Sequence, residues 1–555
     1  MRRLLVALVL VCSLPVTVTG MGTAASTATS APEATPAGSE PVIVELYPNP
    51  IADEDAGEYA VVSLPSGVDP ANYVFTDGEA TVSLANASAS GRVAVANDPR
   101  AANLTDHPVL VESSLSLANG GEAVRIERIE TTGQRNETVD GGNATVVHER
   151  RYRDAPEGEI ATWNESRIRW QQVGATDRPV VRGDAGRVRA FVLPDSPAVP
   201  AETLRGADRR ILLAGYTLTS QRVVDALVRA HDRQVTVRVL LEGEPVGGRT
   251  QREAELLDRL VAAGVEVRLL GGEHARYDYH HAKYAVVDDR AVVLTENWKP
   301  AGTGGNSSRG WGVVTGQPRV VDGLAATFRA DAGWRDAKSW GDFRRGRQFE
   351  RGERSVGDYP TRVEATRVGV DRTDLLVAPD NAQQRLVRTI DSADDSVDVV
   401  QVTLGDWDSP LVTALRRAAR RGVDIRLLLG NAWYNREDNR KLADRFEEWA
   451  SDRDVSFSVK LAEPRDRYEK IHAKGAVVDD DRVVLGSLNW NEQAATRNRE
   501  VVLLLYGDEV ADYYGEVFDA DWGDGKPELP VGLIGAVVGC LIVAGLVARR
   551  LEFEG

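Results

Sequence analysis

Cysteine is almost missing from this chain: 555 residues contain two, Cys12 and Cys540, one in each terminal apolar run. The long segment between them therefore forms no disulfide and performs no thiol chemistry. No Cys/His cluster or carboxylate ladder with metal-ligand spacing occurs, so neither a metal nor another cofactor is expected. Lysine is scarce too, at eight of 67 basic residues, and histidine occurs seven times. Asp and Glu total 84, which leaves a net charge of −17. Such a surface repels polyanions, so a nucleic-acid or anionic-lipid substrate must meet a local basic site. An acidic, lysine-poor composition also suits life in high salt, where charge repulsion is screened, and implies a halophilic protein.

The chain ends carry targeting signals. Arg2 and Arg3 precede an apolar stretch from Leu4, and small residues follow near Gly22, which predicts a signal peptide over 1–25. An Ala/Thr/Ser/Pro-rich linker covers 26–40. The run 531–548 carries no charge and, extended to 529–548, approaches the ~20 residues that span a bilayer. Arg549 and Arg550 follow, so residues 549–555 are expected in the cytoplasm. The expectation is a single-pass cell-membrane protein, partnered with the bilayer through this helix, with its bulk extracellular. Sequons at Asn86, Asn103, Asn136, Asn143, Asn164 and Asn306 agree with export.

Residues 41–174 read as all-β, with short alternating runs separated by turn residues. The stretches VELYPNP (44–50), GEYAVV (57–62) and LANGGEAVRI (117–126) resemble a lamin-tail domain, which implies an immunoglobulin-like sandwich and a binding or attachment role for an unidentified ligand. From 187 onward strands and helices alternate, and the order repeats: 187–337 forms one half and 371–525 the other, joined by an irregular connector over 338–370. VTVRVLLEG in the first half answers VDIRLLLGN in the second.

The repeat carries a polar motif. HAKYAVVDDRAVVLTENW begins at His281 and HAKGAVVDDDRVVLGSLNW at His472. On a strand, residues two apart share a face, so His281 projects with Lys283 and His472 with Lys474. Asp288 and Asp479 lie at an odd offset and open hairpin turns, so they are expected to accept backbone hydrogen bonds. Two halves face to face would supply two ammonium groups for a phosphoryl anion. They would also supply two imidazoles, one to attack and one to protonate the leaving oxygen. Ser487 and Asn489 follow the second motif as donors to phosphate oxygens, and Glu500 is a candidate to hold His472 in one tautomer. The first copy has Thr295, Glu296 and Asn297 instead, one residue shorter; Glu296 near a phosphate is unfavourable, and no acid stands where Glu500 does.

These residues resemble the H-x-K-x4-D-x6-G-S-x-N motif of the phospholipase D superfamily, which the second copy matches throughout. The resemblance implies a duplicated α/β/α sandwich forming a pseudo-dimer, preceded by the immunoglobulin-like domain and followed by the transmembrane helix. It also implies a phosphohistidine intermediate, with His281 as nucleophile and His472 as general acid then base, although the altered first copy leaves the reverse assignment open. The substrate expected is a phosphodiester of a phospholipid or of a nucleic acid, so a phospholipase and a nuclease both remain open. The alternative is a degenerate, non-catalytic binding protein. Oligomeric state is not legible.

Overall fold

A computed structural model describes residues 40–129, 144–164, 167–271, 275–352 and 357–523. Two sheets make up the N-terminal region. A six-stranded sheet contains Val42–Tyr47, Tyr59–Leu64 and Gly91–Ala96, and a four-stranded sheet contains Tyr73–Thr76 and Ala123–Ile129. Their alternating apolar residues meet in one core: Ile43, Leu46, Ala60 and Val62 from one sheet, Phe75, Val124 and Ile126 from the other. Glu58, in the GEYAVV stretch, is buried and accepts from the Leu117 amide at 3.1 Å.

The two repeats build two sheets with the same order of seven strands. In the first half the order is Glu266–Leu270, Thr236–Glu242, Arg210–Gly215, Tyr284–Val287, Arg290–Leu294, Ser308–Thr315, Gly186–Leu193. The second half repeats it as Phe457–Leu461, Asp424–Leu429, Ser396–Gln401, Gly475–Val478, Arg482–Gly486, Glu500–Tyr506, Arg372–Ala378. The first three strands of each set are parallel and linked by amphipathic helices. Gln221–Asp232 shows why: Ser220 caps its first turn, and Val223, Val224, Ala226, Leu227 and Ala230 fall on the buried stripe.

Each sheet has an outer core against its own helices and shares an inner core with the other half. The inner core is filled by the long helices Pro318–Gly333 and Asp508–Trp522, packed between the sheets. The connector is less irregular than expected. Ala337–Ser339 and Thr366–Val370 extend the first sheet at its two edges, the latter pairing with Gly186–Leu193. In return Val181–Gly183, from just before the first half, pairs with Arg372–Ala378 of the second. These added strands cover edges that would otherwise be open.

One expectation is corrected. Among the described residues no helix is long and apolar enough to cross a membrane, against the single-pass placement expected from the sequence. The run 529–548 on which that placement rested, like the signal and linker over 1–39, lies outside the described residues.

Two buried arginines lock the halves together. Arg309 of the first half lies 2.5 Å from Asp195 and 2.8 Å from Asp521 of the second, with its guanidinium over the Tyr468 ring. Arg499 of the second half lies 3.1 Å from Asp331 of the first and 2.8 Å from Asp380, with its guanidinium over Tyr277. The second constellation repeats the first across the pseudo-twofold axis. Removing one member of a fully buried ion pair strands the remaining charges, so Arg499→Leu is expected to lower stability by about 3–5 kcal/mol. Chemical denaturation checks this, and an unchanged midpoint would refute the account.

Candidate active site at the junction of the halves

Each H-x-K segment leaves its own sheet and runs beside the other half. The His281 amide donates to the Arg499 carbonyl at 2.9 Å, and the His472 amide donates to the Arg309 carbonyl at 3.0 Å. Lys470 and Ile471 pair in parallel with Ser308 and Arg309, while His280 forms the corresponding bridge to Arg499. Both motifs are thereby drawn to one junction. Within each, the lysine folds back on its own histidine: Lys283 Nζ donates to the His281 carbonyl at 2.6 Å and Lys474 Nζ to the His472 carbonyl at 2.7 Å.

The acids cross over. Glu500 does not reach His472; its Oε1 lies 2.8 Å from Nδ1 of His281. Nδ1 of His472 instead faces Glu296, whose Oε2 is 3.3 Å away. The acid that seemed absent from the first half is thus supplied by the second, and the glutamate that looked out of place serves the second-half histidine. Both carboxylates are fully buried, while the His281 and His472 side chains remain 11% and 21% exposed.

Strand register explains how Glu296 arrives there. Val287 pairs with Arg290 in the first half and Val478 with Arg482 in the second, so the residue lacking in the first copy is lost from the Asp turn. Beyond the turn the two copies align without a gap: Thr295 matches Ser487, Glu296 matches Leu488 and Asn297 matches Asn489. The bonds agree. Thr295 N donates to Trp311 O at 3.0 Å and its hydroxyl accepts from Trp311 N at 2.9 Å. Ser487 makes the same two contacts with Val501, both at 2.9 Å. Trp311 and Val501 follow Gly310 and Glu500, so Gly310 stands where the second half has its acid. A Cβ at 310 would collide with the Glu296 side chain. One half carries its acid on the outgoing strand. The other carries it on the preceding loop, with glycine vacating the strand position.

The aspartates sit in the turns, away from the histidines. Asp288 accepts from the amides of Asp208, Arg209 and Arg210 at 2.8–2.9 Å. Asp479 accepts from those of Asp394, Asp395 and Ser396, at 2.8 Å for Asp395. Both adopt positive φ, 54° and 49°, as short polar side chains in tight turns can.

Burial dominates the electrostatics. It brings the His281 imidazole down to about 4, against the opposing pull of Glu500, and the His472 imidazole down to about 3, with Lys474 adding to the fall. Burial also lowers Lys474 to about 8 and pushes Lys283 well below the ordinary lysine value. It pushes Glu296 and Glu500 up, but their histidine and lysine neighbours outweigh it and hold both below the ordinary carboxylate range. The resting site pairs neutral imidazoles with ionised carboxylates. Asn297 and Asn489, the remaining polar residues of the two loops, each have a buried side-chain oxygen without a protein partner.

One neighbour, Tyr216, carried no signal in the sequence, whereas His280, next to the motif histidine on a strand, is expected to point to the opposite face. Tyr216 sets its ring edge-on to His281, with centroids 4.9 Å apart, and lies 5.4 Å from Lys283 Nζ. His280 is buried on the far side of its strand, 3.8 Å from Asp331, and stays out of the site.

Residues 201–332 and 386–522 each match the model of the cardiolipin synthase, PLD-like domain. Cardiolipin synthase B of Salmonella typhimurium is 25% identical over 325 residues, 56% of this chain and 73% of that protein. Phospholipase D of Rickettsia conorii is 28% identical over 137 residues, 24% of this chain and 62% of the relative. Among solved structures, phosphatidylserine synthase of Haemophilus influenzae aligns over 67% of this chain and 97% of its own, at 14% identity and a TM-score of 0.47. The paired matches, one over each half, support placing this duplicated α/β region in the phospholipase D superfamily.

Proposed function

We propose that the chain is a phosphodiester-cleaving enzyme acting on a phospholipid headgroup, with one site built from both H-x-K motifs. The observation that carries the reading is the crossed pairing of each histidine with a buried glutamate of the other half, at 2.8 and 3.3 Å. A carboxylate only accepts, so Glu500 fixes the proton of His281 on Nδ1 and leaves the Nε2 lone pair free to attack phosphorus. His472 is held differently: its Nδ1 lies 3.3 Å from both Glu296 and Lys474 Nζ. With lysine as donor the neutral ring carries its hydrogen on Nε2, and with Glu296 as partner the imidazolium carries it there too. Of the two states the imidazolium is the general acid: it gives up its Nε2 proton and is left as a neutral ring with its remaining hydrogen toward Glu296. In the first step a P–N bond to His281 forms, the P–O bond breaks, and the His472 proton passes to the leaving oxygen. Water or another alcohol then attacks phosphorus, His472 takes its proton, and the P–N bond breaks. Lys283, Lys474, Asn297 and Asn489 face the phosphoryl oxygens, and Thr295 and Ser487 brace the two loops.

The names of the relatives favour lipid over nucleic acid. The altered first copy motivated a non-catalytic reading; against it, His281 has Glu500 of the second half as its acid and Glu296 stands beside His472. The N-terminal sheets, with VELYPNP, GEYAVV and LANGGEAVRI on them, remain a lamin-tail-like binding domain in this reading.

The reading is tested at the histidines, at Glu296 and at Lys474. With chelator present, the full chain cleaves a monomeric short-chain phosphatidylcholine; His281→Ala abolishes turnover and His472→Ala lowers it by about 10²–10⁴-fold. An acid-labile phosphoryl-enzyme is trapped on the wild type and is absent from His281→Ala. Activity surviving both substitutions, or cleavage of single-stranded DNA alone, refutes the proposal. Glu296→Leu, which copies Leu488, is expected to cost roughly 10–100-fold in kcat. The double variant Glu296→Leu/Gly310→Glu, which places the acid as Glu500 is placed, recovers most of that loss. A double variant no better than the single one removes the case for Glu296 as positioning acid. Lys474 is an ammonium below about pH 8 and neutral above, so KM for the diester rises as pH passes 8. Lys474→Arg flattens that limb; a limb unchanged in the arginine variant assigns it elsewhere.

A further inference from the structure

The two most exposed large apolar side chains among the described residues are Trp433, 86% exposed, and Val246, 75% exposed. They lie on equivalent loops: Val246 follows the strand Thr236–Glu242 and Trp433 follows Asp424–Leu429, the matching strands of the two halves. Both loops adjoin the junction. The Val246 amide donates at 2.6 Å to the hydroxyl of Tyr216, the ring that stands against His281. Trp433 packs edge-on to Tyr434 at 5.6 Å, and Tyr434 lies 5.6 Å from Lys470 Nζ, two residues before His472. The negative charge of Glu296 acts on the Tyr434 hydroxyl, which places that ring near the site as well.

We infer that Trp433 and Val246 are a pair of apolar tips that dip into a phospholipid surface and hold the mouth of the shared site against it. The inference rests on the lipid reading above and adds the mode of access. Trp433 beside Tyr434 is the amphipathic aromatic pair that favours a membrane–water interface. Val246 offers hydrocarbon alone and has no π face for a base to stack on, which separates this arrangement from a nucleic-acid platform. The charge pattern agrees. Glu244 stands two residues from Val246 and bonds Arg347 at 3.0 Å, while Glu437 and Asp438 flank the other loop and face Lys441. With these acids balanced by their cations, the tips offer little net charge to a polyanion backbone, so the attachment is driven by burial of the tips and survives high salt.

The test compares wild type with Trp433→Ser/Val246→Ser on dihexanoylphosphatidylcholine below and above its micellar concentration. Monomer cleavage is expected to be unchanged, while the rise in rate above the micellar concentration falls roughly tenfold, in buffer and in 1 M NaCl alike. Vesicles of phosphatidylcholine brominated near the carbonyl end quench the fluorescence of wild type more than that of Trp433→Phe. An undiminished micellar rise, or equal quenching in both proteins, overturns the inference while leaving monomer cleavage, and so the proposed activity, standing. Weaker binding of single-stranded DNA by the double variant, with micellar activation intact, overturns it in favour of base stacking. Failure of wild type on monomer would instead strike the proposed function itself.

Discussion

Two backbone hydrogen bonds govern the rest of the design: His281 N to Arg499 O, and His472 N to Arg309 O. Each ties the reactive histidine of one half to the outgoing strand of the other. The arginines that present these carbonyls are buried, and each is neutralised by carboxylates drawn from both halves. Burying a guanidinium is tolerable only when the carboxylates are in place. The long helices that contribute Asp331 and Asp521 are therefore fixed together with the motif strands. Neither half alone could complete its arginine cluster or orient its histidine. The duplication is thus a single functional unit, and the edge strands exchanged through Val181–Gly183 and Thr366–Val370 reinforce the same dependence.

Within that frame the two halves have diverged where divergence is cheapest. What each histidine needs is a carboxylate at Nδ1, and the frame leaves two backbone positions from which a glutamate can reach it. The second half uses the first residue of Glu500–Tyr506; the first half uses the loop residue Glu296 and keeps glycine at 310. Leu488, at the loop position of the second half, is free to join its apolar core. The exchange preserves one buried acid per histidine while changing geometry: a 2.8 Å pairing for His281, and for His472 a looser one at 3.3 Å with lysine competing for the same nitrogen. The difference in function assigned to the two imidazoles follows from that inequality.

Much of this was legible in the sequence, for reasons that can be located. Strand and helix periods gave the two α/β halves because their apolar stripes are buried against a local core. The turn role of Asp288 and Asp479 followed from their odd offset from His and Lys. The partner of each histidine was not legible, because it depends on which strand crosses to which half, and sequence proximity pointed Glu500 at His472. The length difference between the copies was placed in the phosphate-binding loop, whereas register puts it in the Asp turn, where one residue more or less alters neither face of the flanking strands. The exposure of Val246 and Trp433 was not legible either: VTVRVLLEG and VDIRLLLGN set them just past matching strands, but the loops around them, GEPVGGR and NAWYN, share no pattern that marks the two side chains as exposed.

The charge balance of the site bears on how it would turn over. Three lysines, Lys283, Lys474 and the neighbouring Lys299, stand against two glutamates, and burial holds the imidazoles neutral and strips proton affinity from the lysines. A phosphodiester carries one negative charge into this enclosure. In a low-dielectric site that charge acts strongly on its neighbours, raising the proton affinity of Lys283, Lys474 and His472 together. In the proposed reaction the substrate anion would thereby supply a condition for its own cleavage: charged lysines against the phosphoryl oxygens and a proton on the general acid. Glu500 holds the His281 hydrogen on Nδ1 and leaves Nε2 as a lone pair, whereas Nδ1 of His472 is shared between Glu296 and Lys474. In the proposed reaction this unequal support, rather than the charge of the anion, would divide two similar histidines into a nucleophile and a proton donor.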